Sequence, residues 1–148
     1  MESNVGLFED GLQQSFDVKN PSKIETELER KIQDRLLNGF TNWNKGYDAW
    51  CKWCDTLYEP DACYNIRNQH FTLEEYKMAM KYNMEEFTVE LKDFDNIIIR
   101  DDWCAIRYTV TNTNRKTGEA ITSSVMEFVH FKDNPDPIGA RVIEGWAR

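Results

Sequence analysis

The sequence lacks the marks of membrane and secreted proteins. None of its apolar runs approaches the roughly 20 residues that a membrane-spanning helix requires. The N-terminal stretch MESNVGLFEDGLQQ also lacks the basic and then apolar order of a secretion signal. We therefore expect a cytoplasmic protein with no membrane partner.

Positive charge is scarce and scattered along the chain. Only 18 Lys and Arg residues stand against 26 Asp and Glu residues, which gives a formal net charge of −8. Such a chain is repelled by phosphate backbones and by anionic lipid surfaces. This balance argues against nucleic acid as a partner.

Signatures of metal and cofactor sites are also missing. The chain has no phosphate-binding glycine loop, no serine nucleophile elbow and only two histidines. Cys51 and Cys54 form a CKWC motif, but no second closely spaced Cys or His pair completes a tetrahedral metal site. We expect no cofactor, no metal, and reduced cysteines that are buried as small apolar side chains. The alternative is a reactive Cys51 thiol in the first turn of a helix capped by Asp48.

The first half of the domain reads as helical. A length of 148 residues suits one domain. Residues 1–20 show no sustained periodicity and predict a loosely held arm, which leaves 21–148 as the domain. Ser22 and Glu25 have the spacing of a capping box, and apolar residues then recur at helical spacing as far as Trp43.

Two further helices are predicted after the first. Gly46 suits a helix end, Asp48 can cap a second helix that runs to Tyr58, and Thr72 with Glu75 forms another capping box. Between them, residues 62–67 read as a short strand. Three helices are therefore expected to precede the main sheet.

The apolar period changes to two after the third helix. Four strand-like runs follow, at residues 87–99, 103–113, 119–132 and 138–146, with short polar turns between them. Short turns imply antiparallel neighbours. Helices followed by a meander predict an α+β domain with its helices on one face of a curved sheet.

The stretch WNKGYDAWCKWCDTLYEPDACYNI resembles the opening of the SnoaL-like polyketide cyclase and ketosteroid isomerase families. DDWCAIRYTVTNT, MEFVHFKD and ARVIEGWA are similar to the sheet strands of that superfamily. The resemblance covers about residues 22–148. It implies the cone-shaped nuclear transport factor 2-like, or cystatin-like, fold with a mostly antiparallel sheet. It also implies a pocket for a small apolar or aromatic molecule, and we expect a homodimer through the exposed sheet face.

The resemblance carries over only one of three catalytic positions. The general base of ketosteroid isomerase-like proteins matches Ile66, whose side chain cannot accept a proton. Their oxyanion-hole Tyr matches Gly39 or Phe40, neither of which has a side-chain hydrogen-bond donor. The third position, a carboxylic acid, matches Glu127. Isomerisation by that family's mechanism is therefore not expected.

Glu127 is the main candidate for catalysis. Val125 and Val129 flank it on the same strand face, so a face that lines the cone would raise the pKa of its carboxyl group and let it act as an acid. The alternative is a face turned to solvent. The length of the turn before this strand decides whether Glu127 faces Trp103 and Arg107, or instead faces Tyr108.

Other candidates surround this strand. His130 is the natural proton-transfer residue at neutral pH, although strand alternation places it on the face opposite Glu127. The alternative is a histidine on the sheet surface or at an interface. Asn44 is expected either to point its amide into the cone or to lie at a solvated helix end. Trp43, Tyr64 and Tyr76 are expected to supply aromatic walls for a planar ligand.

Two functions remain open from the sequence. The first is a cofactor-independent isomerase, cyclase or dehydratase that acts on an apolar carbonyl compound, with Glu127 as the acid. The second is a binding or dimerisation module of the same fold without catalysis, which the mismatches at Ile66 and Gly39 favour.

Overall fold

The fold is that of a computed structural model that describes residues 23–148, apart from the side chain of Asp93. The predicted arm and the predicted cap residue Ser22 lie outside these residues. Within them, three α-helices and a six-stranded sheet are present, and apart from one additional strand they follow in the predicted order.

The first helix, α1, spans Glu27–Gly39 and begins one turn later than predicted. Its capping box is formed by Thr26 and Glu29, with Glu29 N donating to Thr26 Oγ1 at 3.1 Å. The same Ser/Thr-x-x-Glu spacing occurs at Ser22 and at Thr26, so local sequence allows both. Tertiary contact favours the second, because the buried Glu29 carboxylate also accepts from Asp101 N at 2.8 Å.

The other helices differ in how they begin. A 3-10 helix, Phe40–Lys45, leads to α2, Tyr47–Leu57, which starts after Gly46 at φ 97° without a side-chain cap. The predicted Asp48 cap is therefore wrong, and Asp48 lies in the first turn instead. The third helix, α3, spans Leu73–Glu86, and its predicted capping box is confirmed.

The sheet is mixed but mostly antiparallel. Its strands are β1 Tyr58–Ile66, β2 Gln69–Thr72, β3 Phe87–Arg100, β4 Trp103–Asn114, β5 Ala120–Lys132 and β6 Arg141–Ala147. They lie in the order β2-β1-β6-β5-β4-β3, and only the β1–β6 pair is parallel. The short, largely exposed β2 was not predicted, and β1 is longer than predicted because a register shift lets it pass Pro60.

The register of β4 and β5 decides which side chains share a face. Ile106 pairs with Glu127, and Tyr108 pairs with Val125. Glu127 therefore faces the helices together with Ile106 and Tyr108, whereas Arg107 and Trp103 face outward. The alternative that placed Arg107 beside Glu127 is wrong.

The core lies between the helices and the inner face of the sheet. Its largest fully buried side chains include Trp50, Phe94, Phe131, Ile32 and Leu37. In the described part of the chain, no helix combines the length and the apolar character needed to cross a membrane.

Candidate functional site

Glu127 lies in the interior, where two phenols hold its carboxyl group. Tyr64 Oη donates to Glu127 Oε1, and Tyr108 Oη donates to Glu127 Oε2. The phenols come from β1 and β4, on opposite sides of β5 in the sheet. Both carboxyl oxygens are thereby satisfied inside the fold.

A glycine allows Tyr64 to reach this position. Tyr64 pairs with Gly145 on the intervening strand β6, and a Cβ atom at Gly145 would lie 2.6 Å from Tyr64 Cε2. Since real Cβ contacts are essentially never that short, any larger residue at 145 would displace the ring. A residue without a side chain is therefore needed at position 145 for Tyr64 to reach Glu127.

The surroundings of Glu127 favour its neutral form. Burial raises the pKa of its carboxyl group from 4.5 to about 8. The two phenol donors act in the opposite direction, because hydrogen bonds to a carboxylate stabilise the charge. Burial dominates, so most Glu127 side chains hold a proton at neutral pH. Burial likewise raises the pKa of Tyr108.

Aromatic rings fix the two phenols. Tyr76 stacks on Tyr64 with ring centroids 5.1 Å apart and planes 7° from parallel. Tyr58 meets the edge of Tyr64 at 6.0 Å, and Phe40 meets Tyr108 at 5.4 Å. The site is therefore held by packing on both sides.

The interior cavity beside Glu127 is small. Its volume is about 20 Å³, and its walls include Trp43, Tyr64, Tyr76 and Glu127. That volume holds about one water molecule, whereas ligand pockets measure about 300–1,000 Å³. The small-molecule pocket that the resemblance implies is therefore not open in this structure, because the aromatic side chains fill the space.

Comparison with solved structures identifies the architecture. A candidate SnoaL-like polyketide cyclase from Jannaschia sp. CCS1 is similar with a TM-score of 0.68 and 14% identity, over 86% of this chain and 90% of the other. AclR, a candidate hydroxylase from Streptomyces galilaeus, is similar with a TM-score of 0.67 and 19% identity, over 81% and 89%. The chain has the nuclear transport factor 2-like fold.

A protein of the nuclear transport factor 2-like superfamily from Salmonella enterica matches as well, with a TM-score of 0.57 and 14% identity, over 82% of this chain and 89% of the other. No family model and no curated protein matches the sequence. At these identities the nuclear transport factor 2-like fold is established, as the resemblance to SnoaL-like proteins implied, and activity has to be argued from the site.

In this nuclear transport factor 2-like domain, four of the predicted site residues meet Glu127 in the interior. Tyr64 and Tyr108 contact its carboxyl group, and Trp43 and Tyr76 line the same cavity. Trp43 Nε1 is buried without a hydrogen-bond acceptor in the described part of the chain. A ligand oxygen would satisfy this donor.

The structure separates the other predicted residues from this interior. Asn44 Oδ1 accepts from Leu91 N at 2.8 Å, and the residue is exposed, so the prediction that its amide points into the cone is wrong. Trp103 and Arg107 lie on the outward face because of the observed register. They cannot contact a ligand bound beside Glu127.

His130 also lies on the outward face. Its ring stacks on Trp103 at 4.0 Å, and His130 Nε2 lies 2.8 Å from Asp102 Oδ2. Strand alternation separates it from Glu127, as the sequence indicated. A catalytic partnership of His130 with Glu127 is therefore excluded in this conformation.

Three features of the molecule were missed from the sequence. Tyr58 packs in the tyrosine cluster, and Gly145 makes room for Tyr64. A larger cavity of about 710 Å³ lies on the outward face, where Arg67 is among its lining residues. A glycine paired with Tyr64 is the signal that could have indicated the contact with Glu127. That pair can be recognised only when the parallel pairing of β1 with β6 is known.

The cysteines and acidic residues form no metal site in residues 23–148. All four cysteines are free; Cys54 and Cys104 are buried, while Cys51 and Cys63 are partly buried. Burial raises the pKa of the Cys54 and Cys104 thiols. Buried neutral thiols are typical of cysteines that serve as small apolar side chains.

Proposed function

We propose that this domain binds a small apolar carbonyl compound in its interior, in the cytoplasm, and polarises the carbonyl group through Glu127. The observation that carries the proposal is the convergence of Tyr64 and Tyr108 on one buried carboxyl group. Aromatic walls supply apolar contact area, and the Glu127 carboxyl group held by the two phenols supplies the directed hydrogen bond. The unpartnered Trp43 Nε1 offers a second donor.

The chemistry follows from the protonated carboxyl group. With a pKa of about 8, Glu127 can donate a hydrogen bond to a carbonyl oxygen and stabilise the negative charge that develops there. The residues that line this interior include no second carboxylate and no histidine. The site thus supplies an acid, so in an acid-assisted enolisation, cyclisation or dehydration Glu127 would give its proton to the oxygen and a solvent water would accept the α-proton.

A non-catalytic binding module is the second candidate. The specific observation in its favour is the interior volume of about 20 Å³, together with the apolar Ile66 at the position that matches a family base. A ligand must displace aromatic side chains before it can reach Glu127. A binding module tolerates this cost more readily than a catalyst, which requires a pre-organised site.

A ketone probe tests whether the interior binds a carbonyl group. We suggest 2-acetylnaphthalene, compared with 2-ethylnaphthalene, which lacks the carbonyl oxygen. The proposal predicts tighter binding of the ketone by calorimetry, and a lower carbonyl stretching frequency in the infrared difference spectrum. Tyr64→Phe should reduce this shift, whereas Tyr82→Phe, at an exposed tyrosine, should not.

Exchange of the methyl protons of the bound ketone tests catalysis. In deuterated buffer, an acid catalyst of enolisation accelerates this exchange above the buffer rate, and Glu127→Gln removes the acceleration while it keeps a hydrogen-bond donor. Binding without acceleration supports the non-catalytic module. Equal binding of the ketone and the hydrocarbon would refute the proposal that Glu127 binds the carbonyl group.

We further propose that a second copy packs on the outward face around the Trp103–His130 stack. Arg100 lies beside Trp103, and Glu144 lies beside His130, so the patch carries both signs of charge. In a twofold contact the same patch meets itself, and opposite charges can then pair. Sedimentation should show a particle of twice the chain mass, and Trp103→Glu should convert it to the monomer.

A further inference from the structure

The outward face of the sheet carries a large cavity, which we name the trough. It has a volume of about 710 Å³ and crosses strands β1, β6, β5, β4 and β3. Ile98, Met126, Phe128 and Trp146 line it, and they are 60%, 55%, 48% and 38% exposed. Its volume lies within the usual range for small-molecule pockets.

Basic side chains border this apolar surface. Arg67, Arg107 and Arg148 all line the trough, although the chain carries a net charge of −8. Glu127 is the acidic residue among the lining residues, and its carboxyl group is held on the opposite face by Tyr64. The trough is therefore a local positive region on an acidic protein.

The arginines differ in their availability. Arg107 Nε donates to Asn96 Oδ1 at 2.9 Å, and Asp95, a neighbour of Asn96, accepts from Thr109 close by. In the described residues, neither Arg67 nor Arg148 forms an ion pair. Arg67 and Arg148 are therefore the guanidinium groups available to an anion.

The backbone holds both groups at the trough. Arg67 and Asn68 connect β1 to β2 with φ values of 48° and 69°, a two-residue hairpin turn that usually uses Asn or Gly. Arginine is unfavourable in the left-handed region, yet it occupies this turn. Arg148 is fixed by two backbone hydrogen bonds with Met126, at 2.9 and 3.0 Å.

We propose that the trough is a second binding site, for a small molecule that carries a carboxylate on an apolar planar or aliphatic body. The apolar side chains contact the body, and Arg67 and Arg148 bind the carboxylate, for which the guanidinium fork is well suited. Trp103 of the proposed dimer contact stacks on Phe128 at 4.9 Å, so a second copy there would border the trough. A copy centred on the trough itself is a poorer occupant, because a twofold contact would oppose the arginines of the two copies. This site is independent of the interior site at Glu127.

Naphthalene-2-carboxylate and naphthalen-2-ylmethanol are matched probes for the test, since they share a ring and differ in charge. Calorimetry at neutral pH should show tighter binding of the carboxylate. The double variant Arg67→Asn/Arg148→Gln should weaken carboxylate binding by about tenfold or more and leave alcohol binding unchanged. Asn at position 67 keeps a residue that tolerates the left-handed conformation.

Three control variants locate the binding. Lys52→Gln/Lys81→Gln removes the same charge from exposed positions on α2 and α3 and should change affinity less than twofold or so. Ile98→Glu places a negative charge in the trough and should abolish carboxylate binding. Tyr64→Phe alters the interior site at a residue that does not line the trough, and it should leave carboxylate binding unchanged, so failure here is distinguishable from failure of the interior site.

Several results would overturn the trough site. These are equal affinity for the two probes, no loss of carboxylate binding in the arginine variant, or an equal loss in the lysine control. A dimer that Ile98→Glu converts to monomer would show that a second copy fills the trough instead. Circular dichroism of each variant verifies that it is folded.

Discussion

Tyr64 on β1 donates a hydrogen bond to Glu127 on β5 across the intervening strand β6. The ring can cross because Gly145, the residue that pairs with Tyr64, has no side chain. One glycine therefore determines whether two residues 63 positions apart in the chain can meet. The candidate site depends on this contact.

Substitution of Gly145 by Ala should displace Tyr64 and destabilise the fold by about 1–3 kcal/mol, the usual cost of overpacking. The physical reason is the 2.6 Å approach to Tyr64 Cε2. Urea unfolding measures the effect. In a Tyr64→Leu background the smaller side chain leaves room for Cβ, so Gly145→Ala should cost less there. Equal costs in both backgrounds would show that the two residues do not interact.

Glu127 should make the protein less stable as pH rises. Its pKa is 4.5 when unfolded and about 8 when folded, so between these values the native state holds a proton that the unfolded chain has released. The free energy of unfolding therefore falls across this window, by at most about 5 kcal/mol at 1.4 kcal/mol per pKa unit. Denaturation at several pH values measures it.

Glu127→Gln isolates this pH effect, because the amide does not titrate. The difference in unfolding free energy between wild type and variant should change across the window, whereas the exposed control Glu119→Gln should track the wild type. A difference that is constant with pH would mean that Glu127 has an ordinary pKa in the folded protein.

Removal of one phenol should raise the pKa of Glu127 further. Tyr64→Phe and Tyr108→Phe each delete a donor that stabilises the carboxylate, while burial persists. Carbon-13 NMR of the Glu127 carboxyl group during a pH titration measures the pKa, with exposed Tyr82→Phe as the control. A lower pKa in either interior variant would contradict the hydrogen-bonded arrangement.

Gly39→Ala should destabilise the protein, although alanine is the better helix former by about 1 kcal/mol. A Cβ atom at Gly39 would lie 1.9 Å from Trp53 Nε1, so α1 and α2 could not keep their packing. The net loss should be about 2 kcal/mol or more, measured by thermal unfolding. Trp53→Leu should relieve most of it. A stabilised Gly39→Ala variant would show that propensity outweighs the contact.

Local patterns in the sequence predicted most of the elements. Thr72 and Glu75 satisfy each other within one turn, so their capping box needs no distant partner. The change to a period of two after α3 predicted β3, β4 and β5 closely. The predicted N-cap of α1 was wrong because Ser22 and Thr26 are each followed by Glu at the same spacing. The hydrogen bond from Asp101, distant in sequence, to Glu29 stabilises the capping box at Thr26.

The site was predictable only in part. Glu127 was found because it matches the acid position of the family that the sequence resembles and because valines flank it on its strand face, and Tyr108 followed as one of two registers. The structure selected the register through the turn after Asn114, where Gly118 N donates to Asn114 O at 2.9 Å. Asn44 was misplaced because its direction depends on Leu91, a long-range contact.

The sequence by itself determined the α+β class, the succession of helices and strands, and a carboxylate among valines, because each follows from capping, hydrophobic period or charge within a few residues. Only the tertiary structure decided that Tyr64 reaches Glu127, that aromatic rings fill the interior, and that Arg67 and Arg148 line one cavity on the outward face. These outcomes depend on strand order and on the volume left between packed side chains. Both arise from contacts between residues far apart in the chain.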